Sequence, residues 1–190
     1  PFFNNVWCSN STLIPRFMKG IFYKSPPKIK YSFTWDVSVV LKYLSTLFPL
    51  ESLSLKLLTF KLTALIALAA APRAQTIVSL DLDFMTIAEK CIMFDFPCLL
   101  KNSRRGHQFS LKLEHFDNES LCVMHTLLHY VKVTSSSRLS KKLFISYVTY
   151  KAVCTSTIAR WLRTVLDLAG IDIGVFKAHS FRGASVSAAY

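Results

Sequence analysis

Near the end of the chain, Ala178-His179-Ser180-Phe181-Arg182-Gly183-Ala184-Ser185 sets an imidazole and a guanidinium three residues apart, in a run of small residues that opens a helix. Residues at i and i+3 share a helix face. Arginine donates forked hydrogen bonds to phosphate oxygens, and histidine has the unperturbed pKa closest to neutrality. Such a face can offer one phosphate a fixed cation and a proton-transfer group together. A plainer reading stands beside it: a helix start that Ser180 caps, with Arg182 solvated.

Other constellations are weaker. Cys122, His125 and His129 are spaced to share a helix face, with His115 nearby, which is a ligand set for zinc. The stretch His125 to His129 reads HTLLH and lacks the glutamate of a zinc-protease motif, and its neighbours are apolar, so packing is the better account. The five glycines are scattered and form no phosphate loop, which argues against an NTPase. Arg104 and Arg105 follow Lys101 in a polar turn, where they either grip a phosphate backbone or are solvated. Arg160 and Arg163 read as the polar face of a helix.

Charge narrows the partners. Lys plus Arg total 23 against 11 acids, a net charge of +12, which calls for a polyanion: nucleic acid or an anionic membrane surface. Hydrophobic residues make up 52 %, too many for a disordered basic tail. The longest uncharged apolar run, Leu62 to Ala71, is too short to span a bilayer and reads as a buried helix, so no membrane partner is expected. The five cysteines are odd in number and form no CxxC pair, which fits reduced thiols in an intracellular protein. The chain begins at Pro1 and stops at Tyr190 inside an expected helix, and is read as a fragment.

The elements that must position these residues follow from periodicity. Leu13 to Phe22 is a short helix, and Ser25 to Ser32, with two prolines, is a basic linker. Thr34-Trp35-Asp36 caps a helix carrying Val37, Val40, Leu41, Leu44 and Leu47, closed by Pro49. Ser52 or Ser54 caps a second helix that continues to Ala71, before Pro72-Arg73. Ile77 to Leu82, Cys91 to Phe96 and Phe109 to Leu113 read as strands of a small antiparallel sheet, with the polar turn Leu100 to His107 between the last two. Asp117 to Val133 is a helix capped by Asp117 or Asn118, with Leu121, Met124, Leu128 and Val131 toward the core. Leu143 to Tyr147 is a short strand, Thr155 to Ala169 a helix closed by Gly170, and the His179 helix comes last. The expected fold is α+β: a mainly α-helical domain with a small antiparallel three-stranded sheet.

With Arg73, Lys101 and His179-x-x-Arg182 in place, the chain resembles the catalytic domain of tyrosine recombinases of the phage-integrase type, and within them the recombinases of animal tyrosine-recombinase retrotransposons and mobile elements. The resemblance is carried by Tyr31-Ser32-Phe33-Thr34-Trp35-Asp36, Leu62 to Leu68, Arg73-Ala74-Gln75-Thr76, Leu100-Lys101-Asn102-Ser103-Arg104, Leu143 to Ser146 and Phe176 to Ser185. It runs from about Tyr31 to the end, with the motifs in family order.

The resemblance implies a division into residues 1–32, the tail of an upstream DNA-core-binding domain plus its basic linker, and 33–190, the catalytic domain. It implies DNA breaking and rejoining on double-stranded DNA through a phosphotyrosyl link, without metal or nucleotide cofactor. Arg73 and Arg182 would hold the non-bridging oxygens of the scissile phosphate, the kind of preorganised charge that dominates such catalysis. His179 would assist proton transfer, and Lys101 would protonate the leaving 5′-oxygen. Arg104 and Arg105 would bind the DNA backbone. A complete protein would self-associate as a synaptic tetramer on DNA, in the nucleus if the element is eukaryotic and otherwise elsewhere inside the cell.

Two departures stand out. Thr76 fills a slot where the family commonly has an acid. The nucleophilic tyrosine of the family lies a few dozen residues past the second arginine, whereas Tyr190 is eight residues past Arg182 and is expected to be a packing residue. The chain alone is therefore not expected to cleave DNA. The alternatives are a non-catalytic DNA-binding remnant of such a recombinase and, from another class, a domain binding a membrane surface or an acidic partner.

Overall fold

The computed structural model describes residues 2–3, 6–7, 12–26, 33–97 and 109–188. Lys101, Arg104, Arg105, the turn that carries them, most of the linker and Tyr190 lie outside the described residues. The chain divides into two compact units, Pro1–Phe33 and Thr34–Tyr190.

The first unit holds an antiparallel pair, β1 (Phe2–Phe3) and β2 (Val6–Trp7), and one helix, α1 (Leu13–Lys24). None of the α1 residues is buried. All eleven acids of the chain fall after Phe33, so the first unit is purely cationic, with Arg16, Lys19, Lys24, Lys28 and Lys30.

The second unit is built around one helix. α2 (Val37–Thr46) starts at Asp36, whose carboxylate accepts from the Ser38 amide at 2.8 Å. α3 (Leu55–Ala70) starts at Ser54 and buries every residue from Leu58 to Ala67. A helix apolar on all sides must be covered on all sides, and α3 packs against α4 (Ala74–Ser79), the strand β5 (Ser110–Glu114), α5 (Val123–Thr134), α6 (Thr155–Leu168) and α7 (Ser180–Ala188). α6 ends as its sequence indicates, with Gly170 in the left-handed region at φ 82°.

The sheet has three antiparallel strands in the order β3 (Met85–Ile87), β4 (Cys91–Asp95), β5. Ile92, Phe94, Leu111 and Leu113 point to the core and their neighbours to solvent, the alternation of a one-sided sheet. The fold class is therefore the α+β arrangement expected, with some elements displaced. The span read as a strand at 77–82 is the helix α4 followed by a single bridge, Asp81 to Lys142. Ile77 and Leu80, both buried, are three apart and serve a helix against α6 as well as alternation would serve a strand. The first strand of the sheet is Met85–Ile87 instead.

Leu143 to Tyr147 forms no strand; Leu143, Phe144 and Ile145 are buried consecutively, and Ile145 makes one isolated bridge to Ala152. Asn118 caps a short 3-10 turn, Glu119–Leu121, and α5 begins only at Val123, with the Cys122 sulfur accepting from the His125 amide at 3.5 Å. This later start rotates the buried face to Met124, Leu127 and Tyr130, leaving Leu121, Leu128 and Val131 half-buried.

Candidate functional site

The chain turns a corner between α3 and α4. Ala71 closes α3 in the left-handed region (φ 45°, ψ 38°), Pro72 follows, and Arg73 is extended at the start of α4. The left-handed conformation is costly for a residue with a Cβ. Here it ends the buried helix abruptly and brings Arg73 to the surface, where it is exposed.

Arg182 and His179 sit on the other segment. In α7, Ser180, Phe181 and Ala184 are buried, whereas Arg182, Gly183 and Val186 are exposed. His179 is the turn residue immediately before the helix, and it is exposed, as Arg182 is. Two tethers fix the inner side. The Trp35 indole N–H donates to Ser180 Oγ at 2.8 Å, and Ser185 Oγ donates to the Leu68 carbonyl at 2.5 Å. The second tether lands near the end of α3, five residues before Arg73. Both arginine segments are thus held by the same end of the same buried helix. Among the described residues neither guanidinium has an ion-pair or hydrogen-bond partner.

Neither Arg73, His179 nor Arg182 lines the groove of about 580 Å³ between α2, α3, β5 and α7, whose walls include Leu41, Leu65, Leu68, Phe116 and Val123. All three residues are exposed. Thr76, in the slot of the missing acid, is half-buried on α4. Two tyrosines are committed to packing: Tyr130 is fully buried, and the Tyr147 ring lies 6.0 Å from Phe60 and 5.8 Å from Trp161.

His115, Cys122 and His125 line one small pocket, with His129 turned elsewhere. Cys122 is buried, His129 Nδ1 faces Glu51 at 3.9 Å and His115 Nδ1 faces Asp117 at 4.0 Å. Among the described residues no three such groups come together as metal ligands.

Spacing gave no sign of three groups that shape the unit. Trp35 meets its partner across 145 positions. Arg138 donates to the carbonyls of Lys142 and Leu143 and to Thr134 Oγ1, and lies over the Tyr130 ring, tying down the loop after α5. Lys61 is fully buried in α3, and burial lowers its pKa to about 8.

No protein-family model and no curated relative matches the chain. Solved structures do. XerH site-specific recombinase bound to difH substrate before cleavage superposes with a TM-score of 0.62 at 15 % identity, covering 86 % of this chain and 44 % of that one. Its complex with palindromic difH after cleavage gives 0.60 at 15 % identity, covering 83 % and 42 %. A lambda integrase dimer bound to a COC′ core site gives 0.54 at 14 % identity, covering 85 % and 41 %. The chain spans less than half the length of each of these two proteins. At these identities the likeness speaks to the fold, and the fold of this chain is that of a tyrosine-recombinase catalytic domain.

Proposed function

We propose that this chain is a double-stranded-DNA-binding domain of the breaking-and-rejoining type, with a scissile phosphate held by Arg73, His179 and Arg182. Lys101 would protonate the leaving 5′-oxygen, and Arg104 and Arg105 would grip the backbone beside it. The observation that carries this reading is the start of α7: an exposed guanidinium on a helix locked from behind, an exposed imidazole in the turn just before it, and a tether to the α3 end that leads into a second exposed arginine. The net charge of +12 and the DNA-bound recombinases of similar fold support it.

On this reading the chain comes from a mobile-element recombinase acting in a nucleus, residues 1–32 extend the DNA grip, and copies assemble on DNA. Tyr130 and Tyr147 are occupied in packing, which favours a second reading: the described residues bind and orient the phosphate without breaking it.

Duplex binding followed by fluorescence anisotropy across a salt series tests this. Affinity should fall steeply with salt, at about 0.9 log units per log unit of salt for each phosphate neutralised. Arg73→Ala and Arg182→Ala should each weaken binding about tenfold and lower the slope by about 1. If anionic vesicles bind and duplex does not, or if both variants bind duplex like the parent, the proposal fails.

A further inference from the structure

We infer that Trp35 is a positioning residue for the phosphate-facing side of α7. Its indole sets the rotation of the helix start that carries Arg182, with His179 in the turn just before it. The inference rests on the phosphate-binding reading above.

Most of the stability of a helix in a folded unit comes from tertiary packing, so its anchors decide the orientation of α7. The first anchor is Trp35. Its Nε1–H donates to Ser180 Oγ at 2.8 Å with both residues 4 % exposed, and its ring meets Phe181 edge to face, centroids 5.1 Å apart at 74°. Trp35 therefore holds the two residues that lie between His179 and Arg182. A slip of α7 by one residue turns the helix by about 100° and would carry Arg182 from solvent toward the core. A ring alone cannot prevent that slip, because edge-to-face packing tolerates sliding. A directional N–H···O bond does prevent it, and the indole N–H can only donate.

Leaving this bond unmade would strand a buried donor, so the paired arrangement is strongly preferred. The second anchor, Ser185 to the Leu68 carbonyl, holds the far half of the helix. Trp35 is also the second residue of its unit, which begins at Thr34, so the anchor sits where the chain enters that unit.

Trp35→Phe keeps the ring and deletes the N–H; Ser180→Ala deletes the acceptor with little change of volume. Each is combined with Arg182→Ala in the full chain. Duplex affinity is read well below the melting temperature of every variant, with circular dichroism confirming the fold. In the parent, Arg182→Ala should weaken binding about tenfold. In the Trp35→Phe and Ser180→Ala backgrounds the same change should weaken it by less than about threefold, because Arg182 is already displaced. Arg160→Ala, on the exposed face of α6, should act alike in all backgrounds. Ser180→Thr keeps the hydroxyl and should restore the full Arg182→Ala effect.

If Trp35→Phe does not fold, Ser180→Ala carries the test. An undiminished Arg182→Ala effect in the folded backgrounds, with only the melting temperature lowered, makes Trp35 a packing residue and overturns the inference. If Arg182→Ala changes nothing in the parent, the phosphate-binding reading itself has failed, and that is seen before Trp35 is touched.

Discussion

Replacing Lys61 with methionine should change how the stability of this protein depends on pH. Lys61 lies fully buried in the middle of α3, its ammonium donating to the Leu47 carbonyl at 2.5 Å and lying 5.7 Å from the centre of the Phe48 ring. Leu47 closes α2, so the cation faces the negative end of that helix. These contacts do not offset the loss of water: burial lowers the pKa from 10.5 to about 8. The folded chain thus releases this proton near pH 8, while the unfolded chain holds it to about 10.5. Between those values the unfolded state binds more protons, so stability rises with pH.

The penalty is fully present below pH 8 and gone above 10.5. At about 1.4 kcal/mol per pH unit the gap amounts to about 3 kcal/mol. Methionine fills a similar volume without a charge, and its loss of the bond to Leu47 is independent of pH. Urea unfolding of both proteins at intervals from pH 7 to 10.5 gives the difference curve. The stability of Lys61→Met relative to the parent should fall by about 3 kcal/mol across the window. The raised pKa values of Tyr43 and Tyr130 act in both proteins and cancel in the difference. A difference that stays flat with pH would refute the reasoning.

Two further outcomes are expected. Cys154 is exposed at the start of α6, and its sulfur, 3.0 Å from Ser156 Oγ and 3.5 Å from Thr157 Oγ1, has its pKa lowered to about 6 by those hydroxyls. Its alkylation rate, followed by peptide mass spectrometry, should reach half its maximum near pH 6 and move upward in Ser156→Ala; a midpoint near the ordinary 9 would contradict this. Tyr130→Phe removes the buried hydroxyl that accepts from the Ile145 amide at 3.3 Å and leaves that N–H unpaired, at a cost of about 1–2 kcal/mol in urea unfolding. Faster amide exchange confined to residues 143–146 should accompany it, and exchange unchanged there would show that Tyr130 does not hold the loop.

The sequence by itself determined whatever depends on neighbours within a turn or two. Asp36 and Ser54 announce their helices because a side-chain oxygen two or three residues before an amide can satisfy it. The apolar run of α3 predicts a buried helix, which follows from 3.6 residues per turn, whereas the helix expected to carry both His179 and Arg182 begins only at Ser180 and leaves His179 in the turn before it. Tertiary structure decided the rest. The pattern at Ile77 to Leu82 suits helix and strand alike, and packing against α6 chose the helix. Lys61 keeps its place inside the core because the end of α2 arrives beside it and supplies an acceptor, which no local spacing announces. Trp35 reads as part of a cap until the chain returns 145 residues later with the hydroxyl it holds. Periodicity carries no information about such partners, because a hydrogen bond is satisfied by proximity in space and is indifferent to distance along the chain.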